Sequence, residues 1–151
     1  MSQLTFVMQF KGTATPPANP TDPLKIHASA DSSSFSTVIG ETGVSATVEA
    51  VYGEKATFES EATFTSQSSF QETGTITYGA GGHQLHFSTV GEGTIGPSTE
   101  PTLQRGSVMW RIEIGTGQFE GATGFITSNF IVEAQGNVID NQLAVVFLAH
   151  R

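Results

Sequence analysis

A carboxylate, a phenol and an imidazole stand in a stretch otherwise built for packing: Glu72, Tyr78 and His83. Within residues 70–78, Glu72 falls in register with Phe70, Ile76 and Tyr78, because alternate residues of a strand face the same way. A carboxyl group lining an apolar interior has its charged form disfavoured, so its pKa rises and it becomes a general acid or base. The competing reading is a bulge near Gly74 that turns Glu72 to water. His83 shares its face with Leu85 and Phe87, and is either a reactive group or a satisfied polar residue at a strand end. Glu72, Tyr78 and His83 are the expected catalytic groups.

Other chemistries find no support. His86 lies on the face opposite His83, with Gln84 and Ser88, so the two imidazoles do not converge and no metal site is expected. The chain has no cysteine, hence no disulfide, thiolate ligand or thiol nucleophile. No Gly-x-Ser-x-Gly elbow occurs and the serine clusters fall in loops, which ranks hydrolysis low. No cofactor is expected.

Around these groups, the expected ligand contacts are Phe6, Met8, Tyr52, Phe58, Phe87, Trp110 and Asn129. Trp110 alternates with Arg111 beside Val108, Ile112 and Ile114, so its ring faces a cavity if the apolar face points inward; core packing is the plainer account. Arg111 and Glu113 then share the outer face as a charge pair or subunit contact. Tyr52 and Tyr78 end their strands, where their hydroxyls orient a ligand at a barrel mouth. Ser128 and Asn129 straddle two faces, and one of them must look inward.

The elements that position these residues are strands. Period-two alternation recurs along the chain, while no window keeps the three-and-four spacing of an amphipathic helix. Leu4, Phe6, Met8 and Phe10 define the apolar face of a first strand. Residues 12–23 hold four of the six prolines and form a long surface loop, a candidate lid. Residues 25–30 add a short strand, and 31–36 read as a turn. Residues 44–52 and 56–64 pair as a hairpin across Gly53-Glu54, and 70–78 with 83–95 across Gly79 to Gly82. Gly91, Gly93 and Gly96 bend the latter strand. Residues 108–114, 125–134 and 142–149 complete the set, with Asp140-Asn141 as the last turn. About eight strands with short connections favour one all-β domain over residues 1–151, closed as an antiparallel barrel with an apolar interior.

Composition sets the outer limits. At 151 residues the chain buries a sizeable core, and eleven phenylalanines supply it. A net charge of −8 repels phosphate backbones and anionic lipid surfaces, so nucleic acid is not an expected partner. No leader-like N-terminus and no apolar run long enough for a membrane span are found, and a cytoplasmic location is expected.

Between residues 108–114 and 125–134 lies a glycine-dense corner in which Phe119 sits as an apolar plug. No helix follows it, so the glycines do not read as a phosphate loop. With Gly115, Gly117, Phe119, Gly121, Ala122 and Gly124, the corner resembles the Gly-x-Gly-x-Phe-x-Gly-Ala-x-Gly pattern of the allene oxide cyclase-like, dirigent-like (calycin-like) barrel superfamily. That superfamily includes plant allene oxide cyclases, dirigent proteins, bacterial spirotetronate cyclases and uncharacterised bacterial barrels. The resemblance is carried by the C-terminal third of the chain, and the strand count agrees with it throughout. It implies an eight-stranded antiparallel barrel with an apolar cavity, assembled as a homodimer or homotrimer. The enzymes of the superfamily steer a reactive intermediate through cyclisation mostly by shape. It carries no catalytic residue over to this chain.

The resulting expectation is a cofactor-free isomerase or cyclase that binds a lipophilic small molecule and orients it, since orientation alone supplies several kcal/mol. A non-catalytic carrier or sensor uses the same cavity. A barrel filled solid by phenylalanine is the third possibility, because eight strands leave an interior just wide enough for one small ligand.

Overall fold

A computed structural model describes residues 2–149. They form β1 (Ser2–Thr15), β2 (Leu24–Ala30), β3 (Ser33–Gly40), β4 (Gly43–Ala50), β5 (Ala56–Phe64), β6 (Ser69–Tyr78), β7 (Gln84–Thr89), β8 (Gly93–Pro97), β9 (Leu103–Thr116), β10 (Thr123–Glu133) and β11 (Asn137–Leu148). The order β1-β2-β5-β6-β7-β9-β10-β11 closes on itself, every neighbour antiparallel. The chain breaks after β7, where Gly91 takes φ +69°, and β8 resumes between β6 and β9. β7 and β8 therefore share one position, and the barrel has eight. No helix long and apolar enough to cross a membrane occurs among the described residues.

Alternation decides which side chains enter the barrel. Along β5 the buried residues are Ala56, Phe58, Ser60 and Ala62; along β9 they are Gly106, Val108, Trp110 and Ile112. Aromatic rings fill the middle: Phe58 lies 5.8 Å from Phe10, 5.5 Å from Phe87 and 5.6 Å from Trp110, centroid to centroid. Gly74 makes this layer possible, since a Cβ there would sit 2.6 Å from the Phe87 ring.

The two ends differ. At one, the glycine corner tightens into a 3-10 turn, Gly117–Phe119, and drops the Phe119 ring into the core, 2% exposed. Phe119 meets Tyr78 at 5.3 Å, and Tyr78 meets Phe6 edge-on at 5.5 Å, so this end is closed. The corner's glycines serve close approach: a Cβ on Gly124, at φ +137°, would lie 2.1 Å from the Val145 carbonyl oxygen. At the other end, β1, β5 and β10 finish and β2 and β11 begin around an open mouth.

Several expectations fail here. Residues 12–15 belong to β1 and pair with β2, so the proline-rich loop begins only at Pro16. The segment 44–52 does not pair with 56–64. Instead β4 pairs with β3, through the turn at Glu41-Thr42, as an arm outside the barrel, and β5 pairs with β2. The serine-rich stretch at 33–36 has weak strand propensity, which hid β3. Asp140-Asn141 is not a turn either. The reversal comes at Gly136, φ +86°, and Asp140 lies inside β11 facing the core.

Candidate functional site

The open half of the barrel holds an inner chamber of ≈ 60 Å³, room for a few waters or one end of a ligand. Leu24, Ile26, Phe64, Phe70, Ile95 and Phe130 form its walls, and the Phe58–Trp110 layer its floor. It opens into a vestibule of ≈ 700 Å³ at the barrel mouth, where Leu24, Phe64, Ile95 and Val132 line both spaces. Pro16, from the proline-rich loop, and Pro97 and Pro101 border the vestibule. A lipophilic ligand of moderate size fits the vestibule with its leading edge in the chamber.

Two carboxyl groups enter this apolar space. Glu72, on β6, is buried, and no bulge turns it outward: the β5–β6 register runs unbroken through Ser60↔Gly74 and Ala62↔Glu72. Its backbone is held where β7 ends, the Thr89 hydroxyl accepting from the Glu72 N–H at 2.7 Å and donating to its carbonyl at 2.9 Å. Ser60 Oγ donates to Glu72 Oε2 at 2.5 Å. Asp140, on β11, accepts from Ser128 Oγ at 2.5 Å and from Gln142 Nε2 at 2.8 Å. Both carboxyls line the chamber, as do Ser128 and Trp110.

Their electrostatics differ. Burial pushes Glu72 up to about 8; the Ser60 hydroxyl opposes the rise, and the nearby Asp140 charge adds to it. Burial raises Asp140 to about 6, with Gln142 and Ser128 holding it down. Burial lifts Glu72 further than Asp140, so Glu72 keeps its proton to a higher pH than Asp140 does. Environments that separate two carboxyls in this way suit them to acid and base chemistry. The Trp110 Nε1–H is buried without a hydrogen-bond partner among the described residues, yet lies close enough to work weakly against the Glu72 rise. An unpaired buried donor costs about 1–3 kcal/mol, and a ligand acceptor would relieve it.

The other predicted residues scatter. Tyr78 ends β6 at the closed end, not at a mouth, where burial raises its hydroxyl pKa. His83 lies in the turn beyond, its Nδ1 accepting from the Gln118 N–H at 2.9 Å, and so braces the corner instead of facing the chamber. Tyr52 follows the arm and is fully exposed on the outside, because its segment never joined the barrel. Asn129 points out from β10 and the inward residue is Ser128. Phe6 and Met8 pack against the core, Phe6 at the closed end. Phe87 lies in the aromatic layer, while Phe58 and Trp110 reach the chamber. Arg111 and Glu113 pair on the outer surface at 2.9 Å, and Ser88 also donates to Glu113.

Asp140 was not among the predicted residues. Its signal was there, in Val138, Asp140, Gln142, Ala144 and Val146 at period two, but the Asp-Asn pair outweighed it as turn chemistry.

No protein-family model matches the sequence, and no curated protein matches it significantly. Among solved structures, the chain is similar to a pterocarpan synthase dirigent protein, with a TM-score of 0.52 at 15% identity. That match covers 100% of this chain and 88% of the other. The likeness is one of fold: this chain and that dirigent protein share an antiparallel β-barrel.

Proposed function

We propose that this barrel is a cofactor-free isomerase or cyclase for a lipophilic small molecule, with Glu72 as proton donor and Asp140 as proton acceptor. The observation that carries the reading is the pair of buried carboxyls, each held by a serine hydroxyl, lining the inner end of an apolar, open cavity. A neutral Glu72 delivers its proton to a substrate oxygen as an adjacent carbon becomes electrophilic. An internal hydroxyl of the substrate attacks that carbon, and Asp140 takes the hydroxyl proton. Substrate and product have the same composition. Proton exchange from Asp140 to Glu72 resets the site. The barrel walls fix which face is attacked, and orientation supplies much of the acceleration. Use of this fold by a pterocarpan synthase supports a ring-forming role over a purely structural barrel.

A carrier or sensor that holds the same ligand unchanged is the second reading, favoured by the small inner chamber and by the depth of the Glu72 carboxyl. The two readings part in one experiment. The protein is incubated with a fractionated lipophilic extract, and bound compounds are identified by native mass spectrometry and chromatography. Catalysis predicts a compound recovered at unchanged mass but altered retention with wild type, and recovered unconverted with Glu72→Gln. Recovery of unaltered compound from both proteins establishes the carrier, and no bound compound sinks both readings.

A further inference from the structure

Among the described residues, the one buried side-chain nitrogen or oxygen without a hydrogen-bond partner is Nε1 of Trp110, in a residue 1% exposed. Orphaned donors of this kind are rare, because burial has cost them the water that satisfied them in the unfolded chain. The indole cannot turn away to find a partner. Phe87 lies 4.3 Å and Phe58 5.6 Å from it, centroid to centroid, and close packing fixes the ring. Its backbone is held between Thr89 on β7 and Ile126 on β10, inside the barrel wall.

Trp110 lines the chamber together with Glu72. The N–H lies close enough to hold the Glu72 carboxyl down weakly, yet makes no hydrogen bond with it. An acceptor atom entering the chamber meets the indole N–H and, when Glu72 is protonated, its O–H as well.

The chemistry of the lining narrows what that acceptor belongs to. Among the described residues, no Lys, Arg or His lines the chamber or the vestibule, and the ionisable groups that do are carboxyls: Glu72 and Asp140 within, Glu133 at the mouth. An anion entering there sheds its water and finds no counter-charge. An ammonium group finds carboxyls but has only donors to offer, so the indole N–H stays unpaired. A hydrocarbon leaves it unpaired too. A neutral acceptor, a carbonyl or ether oxygen, satisfies the N–H without bringing a charge into the chamber.

We propose that Trp110 Nε1–H anchors a ligand oxygen, and that the barrel takes uncharged lipophilic molecules carrying a carbonyl or ether oxygen at the end that enters first. This rests on the cavity being a ligand site, as the proposed function requires, and applies to a cyclase and a carrier alike. In the cyclase the anchored oxygen is the one that receives the Glu72 proton, so the indole aims it.

The test titrates the wild-type protein with acetophenone, cumene and benzoate, three probes of one shape that end in a carbonyl, a hydrocarbon branch and a carboxylate, and with α-methylbenzylammonium as the cation. The chain has a single tryptophan, so NMR shows one indole N–H signal. Acetophenone moves that signal downfield to a plateau, on the same binding curve as the methyl signals of Leu24, Ile26 and Ile95 in the chamber wall. Cumene moves the methyls without the downfield step. Benzoate and the ammonium probe bind at neutral pH about tenfold more weakly than acetophenone, or less. Trp110→Phe keeps an apolar ring and weakens acetophenone about fivefold relative to cumene, the worth of one neutral hydrogen bond. Where that variant does not fold, the wild-type titration decides. An indole signal that stays put while acetophenone moves the methyls, or an unchanged ratio of the two affinities in folded Trp110→Phe, overturns the anchor and leaves the cavity reading standing. Either charged probe binding as tightly as acetophenone overturns the uncharged class. Methyls that move with no probe sink the cavity reading, and the proposal with it.

Discussion

Ser60 and Glu72 face one another across β5 and β6, the serine hydroxyl donating to one carboxyl oxygen at 2.5 Å. The bond holds Oε2, and the carboxyl lines the chamber beside Trp110. Without Ser60 the carboxylate form loses its largest stabilising contact, and the rise caused by burial stands less opposed. Ser60→Ala therefore raises the Glu72 pKa further above about 8. The alkaline limb of activity moves up with it, and a pH–rate profile of the two proteins reads the shift. An alkaline limb that stays in place shows that Ser60 does not tune the acid.

The same burial makes stability depend on pH. Glu72 and Asp140 both have folded pKa values above their ordinary ones, 4.5 and 3.8, so the folded state binds more protons than the unfolded one between those values and about 8. Stability is then fully present below about pH 4 as far as these groups are concerned, and it falls until Glu72 has ionised near pH 8. Chemical denaturation across this range shows the decline, and Glu72→Gln removes the part between about pH 6 and 8. A wild-type curve flat over that interval contradicts the burial of an ionisable Glu72.

Phe119 closes one end of the barrel with a ring 2% exposed. Phe119→Ala leaves a cavity against Tyr78 and costs about 3–5 kcal/mol in urea unfolding. Because the opening lies at the end away from the chamber, ligand affinity changes little where the variant is folded. A loss of less than about 1 kcal/mol shows that the corner does not plug the core.

Gly124→Ala tests the corner's backbone. A side chain there enters a positive-φ conformation and meets the Val145 carbonyl at 2.1 Å. Conformation alone costs about 1–3 kcal/mol, and the clash adds to it. Urea unfolding measures the loss, and a neutral substitution shows that the β10–β11 approach is looser than described.

Much of this was legible in the chain itself. Closure into a barrel followed from the alternation, and the Phe119 plug from the glycines around it. The inward placement of Glu72 was visible as period two with Phe70 and Ile76, because the strand is regular and its neighbours apolar. The arm was not legible, since a hairpin outside the core has no buried face to impose its register. Asp140 was hidden by the turn chemistry of its neighbour. Tyr78 was placed correctly at a strand end but at the wrong end of the barrel, which alternation alone cannot tell from the other, and His83, read as a strand residue, lies in the turn before β7. Which side chains meet across the chamber depends on strand order, and the β2–β5 pairing around the arm is a long-range choice that local pattern does not encode.

The proposed mechanism needs Glu72 to be a carboxylic acid kept neutral at physiological pH inside an apolar chamber. Infrared difference titration of the protonated carboxyl stretch, wild type against Glu72→Gln, measures it directly. The expected result is a protonated carboxyl that persists at pH 7, ionises with a midpoint of about 8, and is missing from the variant. A Glu72 signal lost by about pH 5, in the ordinary carboxylate range, contradicts it.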